Sequence, residues 1–113
     1  MHRGDAAATA EALMRSRYSA FAVGESNYLL ETWHPRTRPD HLDLDPEISW
    51  TRLVVVRSQG GPFDTGGFVE FEAHHRLGSQ QGVLRERSRF VRESGRWYYV
   101  DGSVGETSSG RAN

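Results

Sequence analysis

Cysteine is missing from the 113 residues of this chain. Its absence removes disulfides, a thiol nucleophile and a thiolate zinc site together, and leaves the redox compartment unmarked. Lysine is missing too: all fourteen basic residues are arginine, which excludes Schiff-base chemistry on a lysine. No apolar run approaches the roughly 20 residues of a membrane-crossing helix, and the opening MHRGDAAATA lacks the apolar centre of a signal peptide. A formal net charge of −1 gives no global attraction to nucleic acid or to an anionic membrane. The expectation is a cytoplasmic protein, with residues 1–6 and 104–113 as polar tails around one domain at 7–103, long enough for a single core.

The first half of the chain reads as helical and the second half as strand-rich, which predicts an α+β fold. Ala7 to Val23 carries Ala10, Leu13, Met14, Tyr18 and Phe21 at helical spacing and stops at Gly24, a residue suited to a left-handed cap. Arg17 lies in or beside that stripe, so it needs either a carboxylate partner or a route for its head to water. Ser26 to Trp33 reads as a second short helix with Ser26 as N-cap and Leu29, Leu30 and Trp33 on its buried side; Pro35 discourages continuation past His34. The loop HPRTRPDHLDLDPE spaces Asp43, Asp45 and Glu47 as metal ligands are spaced. It lacks the glycine and terminal glutamate of a calcium-binding hand, and His74 and His75 alternate across a strand, so no metal is expected.

Ile48 to Gln59 and Phe68 to Leu77 predict two strands, and SRFVRESGRWYYVDG (88–102) predicts the last β-hairpin, turning at Ser94-Gly95. A two-residue turn there sets Arg92 opposite Trp97, Phe90 opposite Tyr99 and Ser88 opposite Asp101. The alternation then places Glu86, Ser88, Phe90, Trp97, Tyr99 and Asp101 on one face and Arg85, Arg87 and Arg89 on the other. Three alternating arginines cannot all be desolvated in a domain this small, so the first face is the covered one. A four-residue connection at Ser79 to Gly82 would put Phe71 opposite Phe90, Ala73 opposite Ser88, His75 opposite Glu86 and, on the outer face, Glu72 opposite Arg89 with Glu70 diagonal to it. Glycine-rich 60–67 has no lysine and sits between strands, so it is not a phosphate loop.

Helices laid over such a sheet leave a cavity toward one end, lined by aromatic residues and a few convergent polar groups. Three roles fit that face: a polar network that seats the first helix, a binding pocket without chemistry, or a catalytic site. The candidates are Arg17, Tyr18, Trp33, His34, His75, Glu86, Ser88, Trp97, Tyr99 and Asp101. A His75–Glu86 pair could move a proton; Ser88 beside an aspartate lacks the base a nucleophile would need, so no catalytic residue is assigned.

RSRYSAF (15–21), TWH (32–34), FVEFEA (68–73) and LRERSRFVRESGRWYYVDG (84–102) resemble the YchJ family of uncharacterised bacterial proteins. The resemblance implies a nuclear transport factor 2-like cone, its N-terminal helices packed in the concave face of a strongly curved antiparallel sheet. Arg17, Tyr18, Trp33, His34, Glu86, Ser88, Arg89, Phe90, Trp97, Tyr99 and Asp101 match its pattern, while His75 stands where an aromatic residue is expected. Members commonly carry SEC-C motifs, short cysteine-rich zinc modules; without cysteine this chain carries neither that motif nor its zinc. The expected activity is a non-catalytic binding or protein-interaction module without a cofactor. Its partners would be a small organic ligand, another protein or a second copy in a homodimer, and no membrane or nucleic acid is expected. The alternatives are an isomerase- or dehydratase-like enzyme using a histidine–acid pair, and a nucleic-acid or ribosome-associated role for the arginine row.

Overall fold

The computed structural model describes residues 7–104; the expected tails at 1–6 and 104–113 lie outside the described residues, except that Val104 ends the last strand. Two helices, α1 (Ala10–Val23) and α2 (Ser26–Glu31), precede four strands: β1 (Ile48–Gln59), β2 (Gly66–Leu77), β3 (Gln80–Glu93) and β4 (Arg96–Val104). The strands form one antiparallel meander in the order β1-β2-β3-β4. The α+β architecture is the expected one. Among the described residues, no helix is long and apolar enough to cross a membrane.

Helix α1 begins three residues later than the apolar spacing implied. The Thr9 side chain accepts the Ala12 N–H at 3.0 Å and fixes the start at Ala10, and Gly24 ends the helix with φ at 77°. Helix α2 is shorter than expected at its far end. Thr32 and His34 leave it to pair with β4: the Tyr99 N–H donates to the Thr32 carbonyl at 2.8 Å and the His34 N–H to the Tyr99 carbonyl at 2.7 Å. Tertiary pairing here overrides helical spacing. Ser26 lies inside α2, with Glu25 in the cap position, so the expected Ser26 cap is not formed.

Both hairpins correct the expected register. At Ser94-Gly95 both residues have positive φ, 52° and 77°, as a type I′ turn requires, and Arg92 faces Trp97 and Phe90 faces Tyr99 as read. A shift between Arg89 and Phe90 then sets Asp101 opposite Arg89 and Gly102 opposite Ser88. One extra residue turns everything beyond it to the other face, so Asp101 belongs to the outer face. The β2–β3 turn is Gly78-Ser79 rather than Ser79 to Gly82, with Gly78 at φ 64°. Phe71 therefore faces Glu86, Ala73 faces Leu84, His75 faces Gly82 and Glu72 faces Arg85.

The covered face carries the main core: Ala10, Leu13 and Met14 of α1 against Val69, Phe71, Ala73, Phe90 and Trp97. A second cluster of Ala20, Tyr28 and Leu29, flanked by Phe21, Leu42 and Leu44, joins the two helices to the proline-rich loop. The opposite face carries the arginine row against acids. Arg85 pairs with Glu72, Arg57 with Glu70 at 3.0 Å, Arg87 lies 3.9 Å from Glu70, and Arg89 pairs with Asp101.

Candidate functional site

Between α1, the end of α2 and the covered face lies a cavity of about 180 Å³. Its wall is aromatic, from Tyr18, Phe21, Trp33, Trp50, Phe71 and Tyr99, and its charged groups are Arg17 and Glu86. Each aromatic residue is placed by a local feature. Tyr18 and Phe21 continue the stripe of α1, and both rings meet Trp50 of β1 at 6.2 and 6.3 Å. Trp33 is held by the bridge of its segment to Tyr99 and sets its ring edge-on at 5.0 Å.

Arg17 is only 3% exposed, and it follows neither expected course. Its Nη1 donates to the Leu29 carbonyl at 2.7 Å and to Thr32 Oγ1 at 2.6 Å. The last carbonyls of a helix lack intrahelical partners, so the end of α2 supplies an acceptor in place of either a carboxylate or water. The guanidinium also lies over the Tyr99 ring at 4.4 Å and the Trp33 ring at 5.3 Å, which offsets part of the cost of burying a cation. Desolvation nevertheless brings its pKa down to about 10, opposed by the electrostatic influence of Tyr99, Tyr28 and Glu86. Desolvation is likewise the main cause that pushes Tyr99 up to about 12, with the Glu86 charge adding to it and Arg17 opposing it.

Glu86 reaches the cavity from β3 and accepts a hydrogen bond from Ser88 Oγ at 2.9 Å. It lies over Gly102, where any Cβ would overlap its Oε2; the bare backbone of β4 is what leaves room for the carboxylate. Ser88, 1% exposed, lines the cavity beside it.

The structure thus gathers Arg17, Tyr18, Trp33, Glu86, Ser88 and Tyr99 around one space, and places the other four candidates elsewhere. His34 is a structural residue on the far side of the β4 edge: Nδ1 accepts the Arg36 N–H at 3.0 Å, Nε2 lies 3.1 Å from Glu93, and the ring meets Tyr98 at 5.8 Å. With Nδ1 accepting, the ring proton sits on Nε2. His75 packs against Trp50 at 5.3 Å and covers Gly82, filling the aromatic role its position implied rather than facing Glu86. Trp97 is a core residue whose indole N–H donates to the Ala8 carbonyl at 3.3 Å. Asp101 holds Arg89 on the outer face through two 2.7 Å bonds, and Arg89 keeps its carboxyl below the usual aspartate range. Trp50, Leu84 and Met14 line the cavity without having been singled out as site residues. The register shift between Trp50 and Arg52 aims Trp50 inward, and a run ending in three valines gives no sign of such a bulge.

A wider, open depression of about 640 Å³ lies on the outer face by Gly66, Phe68, Arg87 and Asp101. Its charged groups are already paired with one another or, for Arg87, stacked on the Phe68 ring at 4.2 Å. Among the described residues, no three histidine, aspartate or glutamate side chains gather as metal ligands.

Residues 9–102 match the family described as YchJ, middle NTF2-like domain. A UPF0225 protein of Streptomyces coelicolor is 57% identical over 103 residues, covering 89% of this chain and 80% of its own. Another from Chromobacterium violaceum is 52% identical over 102 residues, 87% of this chain and 76% of its own. Among solved structures, a SEC-C motif containing protein from Rhodopseudomonas palustris superposes with a TM-score of 0.80 at 37% identity, over 92% of this chain and 84% of that one. A second, from Psychrobacter arcticus, gives 0.69 at 30% identity over 88% of this chain and 63% of that one.

Proposed function

This chain belongs to the YchJ family, as its middle nuclear transport factor 2-like domain, and from that premise we propose that it is a non-catalytic binding module for a small organic molecule. The observation that carries this reading is a buried guanidinium opening on an aromatic-walled cavity. A buried cation without a contacting carboxylate is costly unless something else faces it. A hydrogen-bonded core alone would not need to leave that space beside it.

The enzyme reading required a histidine beside a carboxylate in the cavity. His75 faces Gly82 and His34 faces Glu93, so neither of the expected imidazoles stands opposite Glu86. The nucleic-acid reading required free guanidinium groups, whereas Glu70, Glu72 and Asp101 already neutralise much of the row.

Thermal denaturation against a panel of small organic compounds tests the binding reading. A ligand at a hundred times its Kd contributes about 2.7 kcal/mol, which raises Tm by roughly 10 °C in a domain of this size. A panel of single-ring and short aliphatic compounds that moves neither Tm nor tryptophan fluorescence would count against a pocket.

A further inference from the structure

Arg89 shows what a guanidinium does in this molecule when a carboxylate is in reach. Its Nε and Nη2 donate to the two carboxylate oxygens of Asp101, both at 2.7 Å. That parallel pair is the strong, geometry-selective way an arginine holds a carboxylate. In Arg17 both hydrogen bonds leave from Nη1, and the same Nε–Nη2 edge has no acceptor among the described residues. Neither atom is among the fully enclosed polar atoms that lack a partner. Arg17 is 3% exposed and lines the cavity, and this unused edge is what it has left to offer a ligand there. Tyr99 and Trp33 cover the guanidinium itself, so its free edge is the direction of approach.

Size and wall chemistry narrow the class further. A cavity of about 150 Å³ accepts a benzene ring, so about 180 Å³ holds one ring with small substituents. Tyr18, Trp33, Trp50, Phe71 and Tyr99 offer faces and edges to a planar ring. Glu86 would repel a carboxylate with nothing between them. Its Oε2 takes the Ser88 hydroxyl, and its Oε1 has no partner among the described residues, so a donor on the ligand satisfies it. Resting on the cavity as a ligand site, we propose that it takes a single-ring aromatic carboxylate whose carboxylate meets the free edge of Arg17 and whose ring hydroxyl or amino group meets Glu86.

Fluorescence titration reads this directly, because Trp33 and Trp50 line the cavity. In the whole chain, 4-hydroxybenzoate is expected to bind about tenfold or more tighter than 4-hydroxybenzamide or phenol. Arg17→Lys, which keeps the charge and loses the fork, removes that advantage. Glu86→Gln binds plain benzoate more tightly than the parent does. Equal binding of the acid and the amide overturns the carboxylate assignment while leaving the cavity a ligand site. Failure of all three compounds to alter fluorescence or Tm overturns that underlying reading as well. Should Arg17→Lys fail to fold, a Glu86→Gln protein with no gain for benzoate still refutes the arrangement.

Discussion

Arg17 and Arg89 sit on opposite sides of the same sheet and use the same side chain in different ways. Arg89 is exposed, and its planar fork is filled by Asp101 from the neighbouring strand. Arg17 is enclosed, spends one nitrogen on the end of α2, and rests on aromatic rings. Water screens the first, so its pairing adds little to stability. Burial strips most of the water from the second, so every group around it carries weight. The difference teaches that the numerous, regularly spaced arginines of this chain are its quiet ones, and that the single arginine inside an apolar stripe organises both the helix packing and the cavity.

The largest effect expected from breaking that contrast is Arg17→Ala. It strips the Leu29 carbonyl and Thr32 of their donor and enlarges the cavity, at a cost of roughly 3–5 kcal/mol in urea unfolding; Arg89→Ala should barely move the same curve. Next is Gly102→Ala, which forces the Glu86 carboxylate off its place for about 1–3 kcal/mol; an unshifted urea midpoint would mean that Glu86 can lean away freely. Smaller again is Tyr99→Phe, whose signature is a pH dependence. The folded chain holds the phenol proton up to about 12, above the ordinary tyrosine pKa of about 10. Tyr99 thus contributes stability that is full below pH 10 and is lost as pH rises toward 12. The parent should lose stability relative to Tyr99→Phe across that window, and parallel curves in alkaline denaturation would refute the shift. Asp101→Asn is expected to be the smallest. Arg89 lowers the Asp101 pKa below its usual 3.8, so the contribution exists above that value and fades as pH falls through the folded pKa. Acid titration of parent and variant should converge there.

The two hairpins explain how much of this was legible. Face assignment in a strand depends only on parity. The expected β2–β3 register pairs Phe71 with Phe90 where the structure pairs it with Glu86, a slip of four that changes partners and leaves faces intact. Glu86 therefore stayed on the covered side and the outer arginines still met acids. The Gly-Ser dipeptide at 78–79 was itself the two-residue turn signal. The bulge beyond Phe90 is an odd slip, so Asp101 changed sides, and no local dipeptide announces it. Arg17 was visibly anomalous from its place in the stripe of α1; its partners were not, because Leu29 offers a main-chain atom and Thr32 reaches it only through the fold of α2 against β4. The expected pairing of His75 with Glu86 does not form, because His75 stands opposite Gly82 and its ring serves as a flat packing surface for Trp50.

The short segment from Thr32 to His34 has a further effect through its bonds to Tyr99. It occupies main-chain groups along the outer rim of β4, where another chain could otherwise add itself. The remaining rim, along β1, is broken by register shifts at Trp50/Arg52 and Val55/Arg57, which spoil a flush ladder. Capped at Tyr99 on one margin and kinked on the other, the sheet offers no long flush ladder to an added strand, although its strands are long enough to template one.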